Sequence, residues 1–226
     1  MPNIGFRIFT KINRPARELV EFFKDSAVAN ISDNMSRFSC VDAQIKPLNN
    51  ARLLGTAFTV KSRTADNLMV HKALNLAQPG DVIVVDVQGD MVNAVCGEIM
   101  IRIAMKKGIA GFLIDGAVRD LGMIKQMDFP VYAKGATPKG PYKDGPGEIN
   151  VPVSIGGVVV RPGDIIVGDE DGVVVIDPTE AVEIFEKTKL TIAKEAKKLQ
   201  SIEDGTNDES WIDHILQQKG CEIIID

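Results

Sequence analysis

An arginine and an aspartate stand side by side at Arg119-Asp120, and Glu98 precedes them with twenty residues between it and Arg119. Two carboxylates and a guanidinium brought to one cavity would suit a hard divalent cation, Mg2+ or Mn2+, held by few protein ligands and several waters. The planar, permanently charged fork of Arg119 suits a carboxylate or an enolate. Together the three groups suit enolate chemistry at a keto acid. Plainer readings stand beside this one. An aspartate in a first helical turn complements the helix dipole by about 0.3–1 kcal/mol. Glu98 is also spaced to pair with Arg102 at i,i+4, worth about 0.2–0.5 kcal/mol.

Whether the groups meet depends on the elements that carry them. "VIVVDV" (82–87), "IAGFLI" (109–114) and "PVYAKG" (130–135) are apolar, β-rich runs of buried strands. Between them lie helical stretches at 94–107, stopped by Lys106-Lys107-Gly108, and at 117–128, where Val118, Leu121, Ile124 and Met127 recur at helical spacing. The alternation predicts a βαβαβ unit with a parallel sheet. Arg119 and Asp120 then fall in the first turn of a helix, and Glu98 early in the helix before it. Both helix starts open on the carboxyl edge of the sheet, where ligands bind in open α/β folds and helix N-termini attract anions.

Upstream, residues 15–29 read as a helix opened by Pro15 and buried through Leu19, Val20, Phe22 and Phe23, 53–62 as a strand, and 67–77 as a helix. From about residue 148, β-branched runs broken by Gly-Gly, Pro-Gly-Asp and Asp-Gly predict antiparallel hairpins. "PGDVIVVD" (79–86) and "PGDIIVGD" (162–169) are near-copies, better explained by a recurring turn than by an internal repeat. "DPTE" (177–180) opens a charged helix to about Leu199, with Asp177 as its cap and a narrow apolar stripe of Val182, Phe185 and Leu190. The tail reads as a short helix and strand. The expected organisation is one α/β domain over residues 1–205, with an extension, 206–226, packed on it.

The 226 residues carry a net charge of −5 and no basic cluster with interleaved aromatics, which argues against a nucleic-acid surface. The N-terminus has no signal-peptide core, and no apolar run is long enough to span a bilayer. A cytoplasmic protein is expected. Cys40, Cys96 and Cys221 lack metal-type spacing and read as reduced thiols, with Cys96 in the core. His71 reads as a structural histidine, Asp33 and Asp66 as helix caps, and the 139–148 loop as a connection. No G-x-G-x-x-G loop follows a first strand, so a methyltransferase finds no support.

The stretch "CGEIMIRIAMKKGIAGFLIDGAVRD" resembles the signature of the class II 4-hydroxy-4-methyl-2-oxoglutarate aldolases, which share a family with the regulator of ribonuclease activity A. "GTAFTVKS", "FPVYAKGATPKG" and "GEINVPVSIGGVVVRPGDIIVGDEDGVVVI" continue the resemblance over roughly residues 28–205. It implies a swivelling β/β/α-type fold with a C-terminal helical arm. It also implies a metal-dependent cleavage of 4-hydroxy-2-oxo acids through a pyruvate enolate, with oxaloacetate decarboxylation alongside. On this resemblance Asp120 binds the divalent metal directly. Arg119 contacts the keto acid and steadies the enolate, and Glu98, where many members have aspartate, holds a water of the metal's hydration shell. Gly97, Ile99 and Met100 match positions at which the substrate carboxylate binds, the latter two through backbone N–H groups. Glu195, in "AKEAKKL", matches a glutamate supplied by a neighbouring subunit of a trimer or dimer of trimers; a solvated charge is the other reading of it. The regulator branch resembles the fold without the full acidic set, and a ribonuclease-binding regulator is the alternative function.

Overall fold

The computed structural model describes residues 3–224. After a short strand β1 (Phe6–Ile8), the expected helix over 15–29 divides into α1 (Arg17–Glu21) and α2 (Val28–Asp33). The break lies at Ala27, whose backbone is extended. The Arg52 guanidinium donates to the carbonyls of Phe23 and Ser26, which no helix satisfies there. Asp33 closes α2 and pairs with Arg37, so it is not an N-cap.

The middle of the chain runs β2 (Lys46–Pro47), β3 (Leu53–Ser62), α3 (Leu68–Leu76), β4 (Asp81–Ala94), α4 (Glu98–Lys106), β5 (Gly111–Val118), α5 (Leu121–Ile124) and β6 (Val131–Ala136). Strands β3, β4, β5 and β6 form the expected parallel ladder. Two helices are shorter than their periodicity suggests. Ala94 still belongs to β4, so α4 starts at Glu98 and not at 94. The helix expected over 117–128 shrinks to the single turn α5. Past it, Asn49 Nδ2 collects the carbonyls of Ile124, Met127 and Phe129 at 3.1, 3.1 and 2.7 Å, giving these acceptors a donor outside any helix.

Beyond β6 come β7 (Gly147–Ile149), a hairpin of β8 (Val153–Ile155) with β9 (Val158–Val160), and a second of β10 (Ile165–Asp169) with β11 (Gly172–Ile176). β7 joins β3 antiparallel and β1 parallel, and β10 joins the other end of β3 antiparallel. The sheet order is β1-β7-β3-β4-β5-β6-β2, with β10 and β11 off this path. Both faces are buried, which explains the continuous apolar strand sequences. Ile83, Val85, Phe112 and Ile114 pack toward α3 and α4, while Val82, Val84 and Leu113 pack toward the β8–β9 and β10–β11 hairpins. The two Pro-Gly-Asp copies are one turn used twice. Asp81 accepts the N–H of Gln78 and Asp164 that of Arg161, each at 2.7 Å.

Asp177 accepts the Thr179 N–H at 2.9 Å before α6 (Ala181–Glu203), and α7 (Ser210–Gln218) comes after it. The chain divides into two compact units, one ending at Thr188 and one beginning at Lys189. The change therefore falls inside α6, where the sequence places a boundary at 205. In the first unit Ala181, Ile184 and Phe185 of α6 pack with Phe23 and the β10–β11 pair. Phe185 stacks on Phe22 with centroids 4.6 Å apart. The expected stripe is thus not one face: Val182 and Leu190 are exposed. In the second unit, Cys221 to Ile224 form no strand, and the last two residues of the expected strand lie outside the described ones.

Asp66 shows how the fold holds its loops. It accepts the N–H of Leu68 at the start of α3 with one oxygen, and those of Asp144 and Gly145 with the other, at 2.7–3.0 Å. Asp66 precedes the α3 cap residue Asn67, so its bond to Leu68 is a local turn and not an N-cap. Asp66→Ala should lose this bond and orphan the loop N–H groups, at about 1–3 kcal/mol. Urea unfolding should show a midpoint lowered to match, with an unchanged slope.

Candidate active site

Arg119 and Asp120 follow β5, Gly97 caps α4 and Glu98 opens it just after β4, and Thr137 follows β6. All stand on the carboxyl edge of the parallel ladder. The local conformation differs from the expectation of a first helical turn. β5 continues through Val118, which is fully buried in the strand, and Arg119 follows it directly. Asp120 is left-handed, at φ 62° and ψ 36°, and precedes α5 as its cap. Aspartate tolerates that region better than most residues.

The end of β5 is tied to the start of α4. Val95 N–H donates to the Ala117 carbonyl at 2.8 Å, and Arg119 N–H to that of Cys96 at 3.0 Å. Asp120 Oδ2 accepts the Glu98 N–H at 2.9 Å, so a carboxylate from the next loop caps α4. Arg119 Nε lies 3.8 Å from the same oxygen. Gly97 makes this approach possible: a Cβ there would stand 2.4 Å from Asp120 Oδ2 and 2.8 Å from Arg119 Cγ. The N–H groups of Ile99 and Met100 have no acceptor within the helix and lie at its positive end. Ile99 exposes its side chain and Met100 buries it. Glu98 meets Asp120 through its backbone, while its carboxylate takes the i,i+4 contact, with Arg102 Nε 2.7 Å from Oε1.

Two clefts share Arg119. An open one of about 380 Å³ is lined by Arg119, Asp120, Ala136, Thr137 and Pro138. The other, of about 240 Å³, is lined by Arg119, Gly97, Ile99 and Met100 together with Asn67, His71 and Lys143. The last three were not singled out for the site from the sequence. Asn67 and His71 sit one helical turn apart just after β3, a spacing that could have flagged them. His71 lines the cleft and is not simply a core histidine. Burial, and next the charge of Lys143, hold its pKa below the ordinary value, so the ring is neutral at pH 7. Asn67 Nδ2 donates to the Val95 carbonyl at 2.8 Å, while its buried Oδ1 has no partner among the described residues. The 139–148 loop is more than a connection. It brings Lys143 to the cleft, and Gly140 backs onto Arg119, where a Cβ would lie 3.2 Å from an Nη. Cys96 is buried, and desolvation pushes its thiol up to about 12, which removes it as a nucleophile.

Among the described residues no three His, Cys, Asp or Glu side chains are grouped to hold a metal. Asp120, with its side chain 41% exposed and Oδ1 outside both contacts, offers one carboxylate oxygen to solvent. A single carboxylate fits a Mg2+ ion that keeps most of its waters. Glu195 is exposed on α6 in the second unit, whereas the cleft-lining residues all come from 67–143 of the first.

The His71 ring should titrate below 6.5 when followed by NMR, and Lys143→Met should raise its midpoint by removing the smaller cause. Because burial is the larger cause, the midpoint should still stay under 6.5 in the variant.

Residues 28–175 match the model of the RraA-like family, described as Aldolase/RraA. A Halalkalibacterium halodurans protein, provisionally named a 4-hydroxy-4-methyl-2-oxoglutarate aldolase, is 41% identical over 188 residues, 83% of this chain and 90% of that one. A Thermus thermophilus protein named a 4-hydroxy-4-methyl-2-oxoglutarate aldolase is 37% identical over 126 residues, 56% of this chain and 76% of its own. Among solved structures, an uncharacterised Pseudomonas syringae protein superposes with a TM-score of 0.78 at 25% identity, covering 86% of this chain and 92% of its own. The RNA-processing inhibitor RraA of Thermus thermophilus superposes at 0.63 with 33% identity, covering 67% and 93%. With well over half of its length matched by the family model and a relative this similar over most of both chains, the chain belongs to the RraA-like, aldolase/RraA family.

Proposed function

We propose that the chain is a divalent-metal-dependent pyruvate aldolase that cleaves 4-hydroxy-2-oxo acids of the 4-hydroxy-4-methyl-2-oxoglutarate type, with oxaloacetate decarboxylation as a side activity. One observation carries this reading: the free N–H groups of α4, the Arg119 fork and the Asp120 carboxylate converge on one sheet edge beside a cleft lined by Lys143. Asp120 would hold Mg2+ or Mn2+, which when bound supplies Lewis acidity at the 2-oxo group. The Ile99 and Met100 N–H groups receive the substrate carboxylate. The Lys143 ammonium suits a second carboxylate at the far end. Cleavage takes the proton from the C4 hydroxyl, turns C4–O into the carbonyl of the departing product as the C3–C4 bond breaks, and leaves pyruvate as its enolate, which is then protonated at C3. Arg119 stabilises the negative charge that develops on the enolate oxygen. Glu98, oriented by Arg102, moves the proton through water. Loss of CO2 from oxaloacetate gives the same enolate, hence the side activity.

Pyruvate release from oxaloacetate should require Mg2+ or Mn2+ and stop in EDTA. Asp120→Ala should abolish both turnover and metal affinity; a near wild-type rate with unchanged affinity would refute the assignment. A second reading, regulation of a ribonuclease by protein contact, is favoured by the likeness to the RNA-processing inhibitor. Metal-independent inertness toward oxo acids, together with inhibition of a ribonuclease, would establish it.

We further propose a homotrimer or dimer of trimers, with Glu195 reaching a neighbour's site. Its support is the exposed apolar side chains beside the site, among them Val92, Ile99 and Met123, and those of the second unit, among them Leu199 and Trp211. Light scattering should give a multiple of three chains. Asp120→Ala and Glu195→Ala proteins, each inactive, should recover partial activity when reassembled together, and a fully active Glu195→Ala protein would remove that residue from the site.

A further inference from the structure

Strand β5 delivers Arg119 and Asp120, yet it loses regular pairing on both edges just before them. Toward β6, Ile114 pairs with Ala133 and Ala117 with Gly135, so Asp115 and Gly116 together face Lys134 alone. A bulge of this kind bends the strand and re-aims the residues beyond it. Toward β4, the consecutive residues Asp115, Gly116 and Ala117 pair with Asp86, Asp90 and Ala94, so segments of β4 are looped out between successive pairs. β4 still comes close: a Cβ on Gly116 would lie 2.5 Å from Val87 Cγ2 and 3.0 Å from the Asp90 carbonyl oxygen.

An ion pair sits at this irregularity. Lys134 Nζ is 2.6 Å from Asp115 Oδ1, with 20% and 11% of the two side chains exposed. Asp115 Oδ2 also accepts the Gly156 N–H from the β8–β9 turn at 3.2 Å. The neighbouring Asp86 carboxylate accepts the N–H groups of Gln88 and Ser154. Gly89 closes over the ammonium, since a Cβ there would stand 3.0 Å from Lys134 Nζ. A carboxylate so withdrawn from water needs a partner cation.

We infer that the largely buried ion pair of Asp115 with the partly exposed Lys134 aims Arg119 and Asp120, so that both members are positioning residues for the reaction proposed above, on which the catalytic half of this inference rests. The pair ties β5 to β6 where the ladder skips, and ties both to the turn covering them. Beyond the skip the strand end is held by the resumed pairs Ala117–Gly135 and Val118–Ala136, by Ala117–Ala94, and by hydrogen bonds to the 95–98 and 137 segments, so the ion pair fixes the bend from which these pairs start. Displacement of an orienting group by about 1 Å is enough to cost a reaction on the order of 100-fold.

The test uses the full chain with Lys134→Met and Lys134→Arg. Amide exchange reads the Glu98 N–H, bonded to Asp120, and the Arg119 N–H, bonded to Cys96. Their protection should fall roughly tenfold or more in Lys134→Met while Val84 and Val85, farther down the sheet, keep theirs. In the same variant kcat on oxaloacetate with Mg2+ should fall about 10- to 100-fold with little change in KM. Lys134→Arg, which keeps the cation, should restore the protection. Unchanged protection at Glu98 and Arg119 in Lys134→Met overturns the inference, as does a loss spread evenly over β3 to β6. If Lys134→Met does not fold, Asp115→Asn, which can still accept from Gly156, is read by the same criteria. A wild-type protein without turnover would sink the proposed function alone, because exchange at the two amides decides the positioning role by itself.

Discussion

One hydrogen bond, from the Glu98 amide to the Asp120 carboxylate, joins the chain after β5 to the start of α4. Everything at the candidate site is placed relative to that contact. It requires Asp120 to leave the helical region of backbone space, and it requires glycine at 97. It leaves the next two amides of α4 for another acceptor and holds the Arg119 fork beside the same oxygen. Parallel strands make this economical. Each of β3, β4, β5 and β6 ends on the same edge, so four sequence segments far apart along the chain each contribute a few atoms to one cleft.

Much of this was legible in the sequence, and the exceptions have physical causes. β3 occupies the residues its β-rich run marks, 53–62, and the βαβαβ alternation is the core of the sheet. Cys96 is buried and the three thiols are free. The features that the pattern missed are mostly decided by distant residues. Val118, Leu121, Ile124 and Met127 have helical spacing, but the strand keeps Val118, and Asn49, far earlier in the chain, takes the carbonyls that a longer helix would have used. The apolar face of α6 was misjudged because Phe185 finds Phe22 and Phe23, a contact between opposite ends of the first unit's sequence. Lys143 escaped notice because a glycine- and proline-rich loop carries no periodicity that would show which way it faces.

The electrostatics of the cleft could not be read from net charge. The chain is acidic, yet Arg119 and Lys143 both line the smaller cleft, and His71 beside them is kept neutral by burial and by that same lysine. A small anion would meet the Arg119 guanidinium, the Lys143 amine and a ring able to donate or accept. Glu98 illustrates the opposite lesson. The pairing with Arg102 that the sequence offered as the plain alternative is present, and it coexists with a backbone role at the site.

The twin Pro-Gly-Asp turns bear on how much a short peptide encodes. Both fold alike, with the aspartate closing on the amide three residues back, yet one feeds β4, parallel to β3, and the other feeds β10, antiparallel to the same strand. The peptide therefore acts as a strand launcher without a compass. Polarity in this sheet is supplied by the route the chain takes to reach the turn: through a helix for β4, through a hairpin for β10. Near-identical segments can thus occupy opposed topological roles within one domain, and their likeness is no evidence that one arose by duplication of the other.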